Sequence, residues 1–411
     1  MASQRDGTRG LPLLKLRLRG AYDCVLLVQD VIGSSHGPLA AAPGREQAGW
    51  LPPDLFDYGA ELAAEVGLRL GSALAGDGRA WIDLPRRLGS ADSASAPVPW
   101  CDGALCVDLG PDDFETWERF AEVHRDEPDP ELVAASAQEW RLAVTPYRRL
   151  PTTAREPVTP VPMREPMSPA SLGGKGLDGK RIVDLTSMWA GPLCTELLGR
   201  AGAQVHKIAS AARPDGLAGS AMYDELNAHK AVIDIDPRFT AGRNALDELL
   251  ARADLLVTSL SPRAMANLAL LPEQLFDRHP RLRTLAITAF EPDSPECDWI
   301  AYGTGVHAAS GLGWLGDEPQ TPAYSYPDPL AGLLAACVAA DQLADAAPRH
   351  ESVSLAGAVA PLAEWAACRR AAGALTPFAG SPHDALGPMA AAAGVGSAAT
   401  PGPAPDGGRH G

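Results

Sequence analysis

The apolar positions between Leu177 and Ile208, in LDGKRIVDLTSMWAGPLCTELLGRAGAQVHKI, change period twice. They predict a turn at Asp178-Gly179, a β-branched strand over Arg181 to Leu185, a Gly191-Pro192 corner, a helix of about three turns and a second strand from Gln204 to Ile208. This is the opening of a βαβ unit. Pro192 suits a first helical turn, where its missing N–H has no helical partner, and Ala190-Gly191 permits close backbone approach. A helix starting there presents free N–H groups and partial positive charge, a cradle for an anionic or carbonyl-bearing ligand. Downstream, Asn227 to Lys230 leads into a strand over Ala231 to Ile235, a helix from Ala241 to Ala251, and strands over Leu255 to Thr258 and Arg283 to Ile287. Such alternation predicts an α/β fold with a doubly wound, mostly parallel sheet.

The patterning before this region is looser. AYDCVLLVQDVIGSSHG, from Ala21, fits a strand or a helix, and Leu62, Val66, Leu70 and Leu74 recur at helical spacing until Gly76-Asp77-Gly78. Ala80 to Leu84 predicts a short strand, Trp100 to Leu109 a hairpin around Asp102-Gly103, and Asp112 to Val123 an acidic-started helix. Residues 1–20 read as a flexible N-terminus, 151–176 as a Pro/Gly-rich linker without apolar periodicity, and 373–411 as a disordered Ala/Gly/Pro tail. That leaves 21–150 and 177–372 as the two folded units, the first being the smaller.

With 411 residues, 46% of them hydrophobic, the chain can bury two sizeable cores. A net charge of −16 argues against nucleic acid or an anionic membrane as the main partner, so any phosphate site must be local. Seven cysteines without C-x-x-C spacing give neither a disulfide framework nor a zinc site, and reduced thiols with no signal-peptide pattern point to the cytoplasm. No metal site is expected.

The run D-L-T-S-M-W-A-G-P-L-C-T-E-L-L-G-R-A-G-A-Q-V-H-K-I is similar, without gaps, to the opening signature of the class III CoA-transferase family (CaiB/BaiF), D-L-[ST]-x-x-x-A-G-P-x-x-x-x-x-L-A-D-x-G-A-x-V-I-K-[VI]-E. Ala209 stands where that pattern has its acidic residue. Three landmarks resemble the family's middle segment twice over. Ala21-Tyr22-Asp23 pairs with Ala301-Tyr302-Gly303, Asp57 to Leu62 with Asp328 to Leu333, and Arg79 to Leu84 with His350 to Leu355, which suggests a partial duplication. After the first copy, DGALCVDLGPDDF resembles the family's D-G-x-[VL]-x-[IL]-[AG]-x-x-[DN]-x-x-[FW] stretch. Residues 21–150 thus look like the middle and C-terminal segments of one unit, joined to the head of another.

The resemblance implies the class III CoA-transferase type of fold, with a second smaller domain. It implies an acyl-CoA and a carboxylic acid acceptor as substrates, no permanently bound cofactor, and an intertwined homodimer. A helix-opening aspartate would attack the thioester to give an aspartyl mixed anhydride, and Asp328 and Asp57 match that position. The ordinary alternative for each is a helix N-cap. Asp328 belongs to the same copy as the helix entrance, whereas Asp57-Tyr58-Gly59 keeps the family's local sequence better than Asp328-Pro329. For CoA the matching residues are Ala190, Gly191, Pro192, Lys207, Asn227 and Lys230, the lysines meeting phosphates as point charges. Ser259-Leu260, Asn267, Ala231 and Gly303 depart from the pattern, each removing a polar group. These departures support an alternative, a catalytically weakened homologue that binds an acyl-CoA or a partner subunit. A third possibility, an acyl-CoA racemase, is disfavoured by Tyr22 and Tyr302 where that branch has a histidine.

Overall fold

The computed structural model describes residues 51–371 apart from 53, 72–77, 89–95, 102, 111 and 151–175. The expected flexible N-terminus, the Ala21 landmark, the linker up to residue 175 and the tail lie outside the described residues.

Helix α1 (Leu55–Leu70) buries Leu55, Tyr58, Leu62, Val66 and Leu70, one apolar stripe at helical spacing. It is followed by two short helices, α2 (Gly78–Ile82) and α3 (Leu84–Arg87). The strand expected over Ala80 to Leu84 is therefore corrected to helix. Trp81, Ile82 and Leu84 are buried without the alternation of a half-buried strand, and Pro85 fits the first turn of α3 behind Asp83.

Strands β1 (Val98–Trp100) and β2 (Gly103–Val107) form the expected hairpin. Helices α4 (Phe114–His124) and α5 (Pro130–Glu139) follow, and β3 (Val144–Pro146) completes a three-stranded antiparallel sheet in the order β1-β2-β3. Its separate core joins Leu105 and Val144 to Trp117, Phe120 and Val133.

The larger layer begins with β4 (Arg181–Leu185), α6 (Ala190–Arg200) and β5 (Gln204–Ala209). It continues through α7 (Ala221–Leu226), β6 (Lys230–Asp234), α8 (Thr240–Leu250) and β7 (Leu255–Thr258). Then come α9 (Pro262–Asn267), α10 (Pro272–Arg278), β8 (Arg283–Thr288) and α11 (Gly303–Ala309). The last described elements are α12 (Pro327–Ala344), β9 (His350–Ser354) and α13 (Leu355–Ala371). Six strands form one parallel sheet in the order β6-β5-β4-β7-β8-β9. Chain order therefore reverses between β4 and β7, and the carboxyl ends of those strands form the crevice where open α/β sheets place ligands. Apolar clusters cover both faces. One combines α1, α6, α12 and α13, and the other is built on α8, α9 and α10.

The duplication expectation fails at its third landmark. Helix α1 is followed by two helices, whereas α12 is followed by strand β9.

Polar contacts tie the first half of the chain to the second. Arg69 of α1, only 3% exposed, donates to Asp341 of α12 (2.9 Å) and to Glu65 (2.6 Å). Arg148 bridges Glu131 and Glu296 at 2.8 Å each. Gln138 pairs with both backbone groups of Ile300, and the Thr145 hydroxyl donates to the Gly305 carbonyl (3.0 Å). The smaller sheet is thereby fixed over the start of α11 within one chain.

Candidate active site

The switch-point crevice is built around a buried carboxylate, Asp184, at the end of β4. It accepts from the Thr186 amide (3.0 Å) and hydroxyl (2.5 Å), the Thr195 hydroxyl (2.6 Å) and Lys230 Nζ (3.0 Å). Burial alone would raise its pKa, but the Lys230 and Lys207 charges and these hydroxyls hold it below the usual carboxylate range. Lys230 Nζ also donates to the Pro192 carbonyl (2.8 Å) and to Asn227 Oδ1 (2.9 Å), so three protein acceptors match its three protons. Asn227 in turn donates from Nδ2 to the Tyr223 carbonyl (2.7 Å). Lys207 is 1% exposed and donates to the Thr186 carbonyl (2.9 Å), with Asp215 at 3.6 Å. Both lysines turn inward.

Ala190, Gly191 and Pro192 open α6 and are all buried. A Cβ at Gly191 would overlap the Thr186 side chain, so glycine here lets the helix close onto the Asp184 network. Between β4 and α6, Met188 holds φ of 67°, a strained region for a residue with a side chain, and its amide donates to the Asp215 carboxylate at 3.2 Å. The Ser187 amide donates to Ser259 Oγ (3.1 Å), joining the loops that follow β4 and β7 across the crevice.

Helix α12 packs on α6, and Gly332, one turn beyond Asp328, lies against the Ala190 carbonyl and Leu193. Asp328 occupies the first turn of this 18-residue helix and is 8% exposed. Its carboxylate accepts from the Ser325 hydroxyl, and Oδ2 lies directly against Gly303 at the start of α11. Burial pushes its pKa up to about 6, with a smaller contribution from the Asp108 charge, while the Ser325 hydroxyl and the neighbouring backbone of Gly303 and Asp328 pull the other way. Gly303, a departure from the family pattern, has a steric cause. A Cβ there would overlap both Asp328 Oδ2 and Ser325 Oγ.

Asp57 is placed differently. It is exposed in the first turn of α1, without a hydrogen bond or ion pair among the described residues. The structure brings Asp328, Gly303 and Tyr302 together and leaves Asp57 on the surface. Tyr302 precedes α11 at the rim, 40% exposed, and its phenol is raised by partial burial and by Asp108, Asp113 and Asp328, against Arg213. His307 is fully buried, its Nδ1 facing the Tyr326 hydroxyl (2.9 Å) and its Nε2 the Gln320 carbonyl (3.0 Å). Burial lowers its pKa to about 4, as expected for a neutral imidazole in the core.

Sequence reasoning missed Asp108, Ser325 and Thr304. Ser325-x-x-Asp328 has the spacing of a helix-start capping pair, which is a legible signal. Asp108 stands where the pattern quoted above has alanine or glycine, also legible once aligned. Thr304 carried no signal.

The model of CoA-transferase family III matches residues 177–392, just over half of the chain. The chain belongs to CoA-transferase family III. Among curated proteins, this family III chain is 30% identical over 194 residues to a probable CoA-transferase of Mycobacterium tuberculosis, covering 42% of this chain and 24% of that protein. It is 30% identical over 146 residues to the formyl-CoA:oxalate CoA-transferase of Streptomyces avermitilis, covering 33% and 35%. It is 27% identical over 175 residues to the (R)-2-hydroxy-4-methylpentanoate CoA-transferase of Clostridioides difficile, covering 38% and 44%. The chain thus spans less than half the length of these curated relatives. Among solved structures, a CaiB/BaiF family protein from Brucella suis aligns with a TM-score of 0.42 and 24% identity, over 49% of this chain and 58% of that one. A hypothetical protein from Mycobacterium tuberculosis gives 0.44 and 23%, over 46% and 58%. Among the described residues no helix is long and apolar enough to cross a membrane.

Proposed function

We propose that this protein moves CoA between carboxylic acids, with an acyl-CoA and an acid acceptor as substrates and Asp328 as the nucleophile. The observation that carries the reading is the Asp328 carboxylate itself. It is buried in the first turn of α12, the helix packed on α6, accepts from the Ser325 hydroxyl, and has its pKa pushed up to about 6, so it is largely ionised at neutral pH yet poorly solvated. A carboxylate oxygen attacks the thioester carbonyl carbon. The new C–O bond forms as C–S breaks, CoA leaves as thiolate with the electron pair, and no proton need move. The product is a mixed anhydride. The thiolate then attacks the aspartyl carbonyl and expels the first acid, and the acceptor carboxylate takes the CoA by the same two exchanges in reverse.

In this reading Ala190, Gly191 and Pro192 shape the CoA entrance, while Lys207, Lys230 and Asn227 hold that entrance in place instead of meeting phosphates. The working unit is a homodimer, as the resemblance implies, which sedimentation would test. The pKa of Asp328 sets the acid limb of the reaction. Acyl-enzyme formation, trapped with hydroxylamine, is expected to rise as pH passes through about 6 and to level off above it. A rate that is flat from pH 5 to 8 would remove Asp328 from the rate-determining step. Gly303→Ala is expected to slow trapping on the order of 100-fold by displacing the carboxylate, with CoA affinity by calorimetry little changed.

A second reading, a weakened homologue that binds acyl-CoA or a partner subunit, is favoured by one observation. The two lysines expected at the phosphates spend their protons inside the protein. Titration with CoA and short acyl-CoAs separates the two readings, because a homologue serving only a partner subunit gives no binding heat, and one that binds without reacting gives no adduct.

A further inference from the structure

We infer that Asp108 is a positioning residue for Asp328. From the loop after β2 it clamps the first turn of α11, whose Gly303 lies against the Asp328 carboxylate. The inference rests on the reading of Asp328 as the nucleophile. Three consecutive residues do the coupling. Gly303 lies directly against Asp328 Oδ2, the Thr304 hydroxyl donates to Asp108, and the Gly305 carbonyl accepts from Thr145 of β3. Both clamping residues belong to the smaller antiparallel sheet or the loop leaving it, so this part of the chain fixes the backbone against which Asp328 rests. The Asp108 backbone is itself anchored, its amide donating to the Ala143 carbonyl (2.9 Å).

Charge adds a second coupling. Partial burial raises the Asp108 pKa against the Thr304, Cys106 and Gly305 donors, and the Asp108 charge raises that of Asp328. The other titratable groups acting here are Cys106, whose thiol lies 3.6 Å from Asp108, the phenols of Tyr147 and Tyr302, and Asp113 and Arg213 through Tyr302.

The two couplings have opposite signs, and that makes the inference testable. In full-length protein labelled with 15N-glycine, the Gly303 amide reports the ionisation of Asp328 and the Gly305 amide that of Asp108. Asp108→Asn keeps the acceptor but removes the charge, so the Gly303 midpoint, near 6 in the parent, is expected to fall and the Gly305 inflection to vanish. Thr304→Val loosens the clamp and lets the Gly303 backbone drift from the ionised form it favours, so the Gly303 midpoint is expected to rise; Thr304→Ser restores the parent value. A contact that is merely structural would change Tm and leave the Gly303 midpoint in place in each variant, and that result overturns the inference even if Asp108→Asn fails to fold, because the threonine pair still reports. The titration needs no substrate. Failure to trap any acyl-enzyme in the parent would overturn the transferase reading alone.

Discussion

Asp328→Asn is expected to reduce hydroxylamine-trapped acyl-enzyme roughly 10^4-fold or to below detection, because a carboxamide cannot form the anhydride. CoA affinity measured by calorimetry is expected to stay within a few fold. Stability supplies an independent check. Asp328 has a folded pKa of about 6 against an ordinary 3.8, so the protonated form fits the fold better than the ionised one. The sign for a raised carboxylate is that its contribution is most favourable below the ordinary carboxylate pKa and declines as pH rises through about 6. At neutral pH the parent therefore carries a cost on the order of 3 kcal/mol, which a neutral residue removes. The variant is expected to lose the adduct while its Tm at pH 7 equals or exceeds that of the parent, and the gap is expected to close toward pH 4. An adduct that survives in Asp328→Asn and disappears in Asp57→Asn would move the nucleophile to α1. A parent that forms no adduct with any acyl-CoA would leave the binding-only reading.

The legible part of this molecule is the part governed by periodicity. The strands over Arg181 to Leu185 and Leu255 to Thr258 lie at the expected residues because they are short, β-branched and mostly apolar runs bounded by turn residues. The place of Asp328 in the first turn of an Ala/Leu helix was legible through family resemblance, and its role is the proposal made above. What could not be read is which long polar side chains turn inward. Lys207 and Lys230 look the same in sequence whether they face outward or inward, and their carboxylate neighbours are remote in sequence for Lys230, where Asp184 is a strand residue 46 positions earlier, and local for Lys207, which lies 3.6 Å from Asp215. Ala80 to Leu84 misled for a local reason, since its β-like composition was overridden by Pro85 and by packing of Trp81 beside the Arg200 guanidinium at 4.8 Å. The smaller sheet was foreseen as a hairpin and a helix, but its reach to Gly305 depends on tertiary placement that no spacing encodes.

Lys230→Ala is expected to be the most destabilising of the substitutions considered. Lys230 and Asp184 both have fully buried side chains 3.0 Å apart, and removing the ammonium leaves a carboxylate with Lys207 as its remaining positive neighbour. Breaking such an ion pair costs about 3–5 kcal/mol, a fall in Tm of roughly 5–15 °C. Lys230→Met with Asp184→Asn removes both charges together and is expected to recover part of that loss, since the penalty comes mainly from the stranded charge. The pH dependence follows from the depressed pKa of Asp184. Its stabilising contribution is present above the ordinary carboxylate range and is lost as pH falls below it, so the gap between parent and Lys230→Ala is expected to be widest near pH 7 and to narrow below about pH 4. CoA binding separates the two roles the lysine could have. A lysine touching phosphate would make the affinity loss shrink as salt rises, because that contact is screened in the parent as well. A lysine that only holds α6 against β4 gives a loss that is the same at low and high salt and that tracks the loss of folded protein. The second pattern is expected, and a salt-sensitive loss in a fully folded Lys230→Ala would return this residue to the phosphate site.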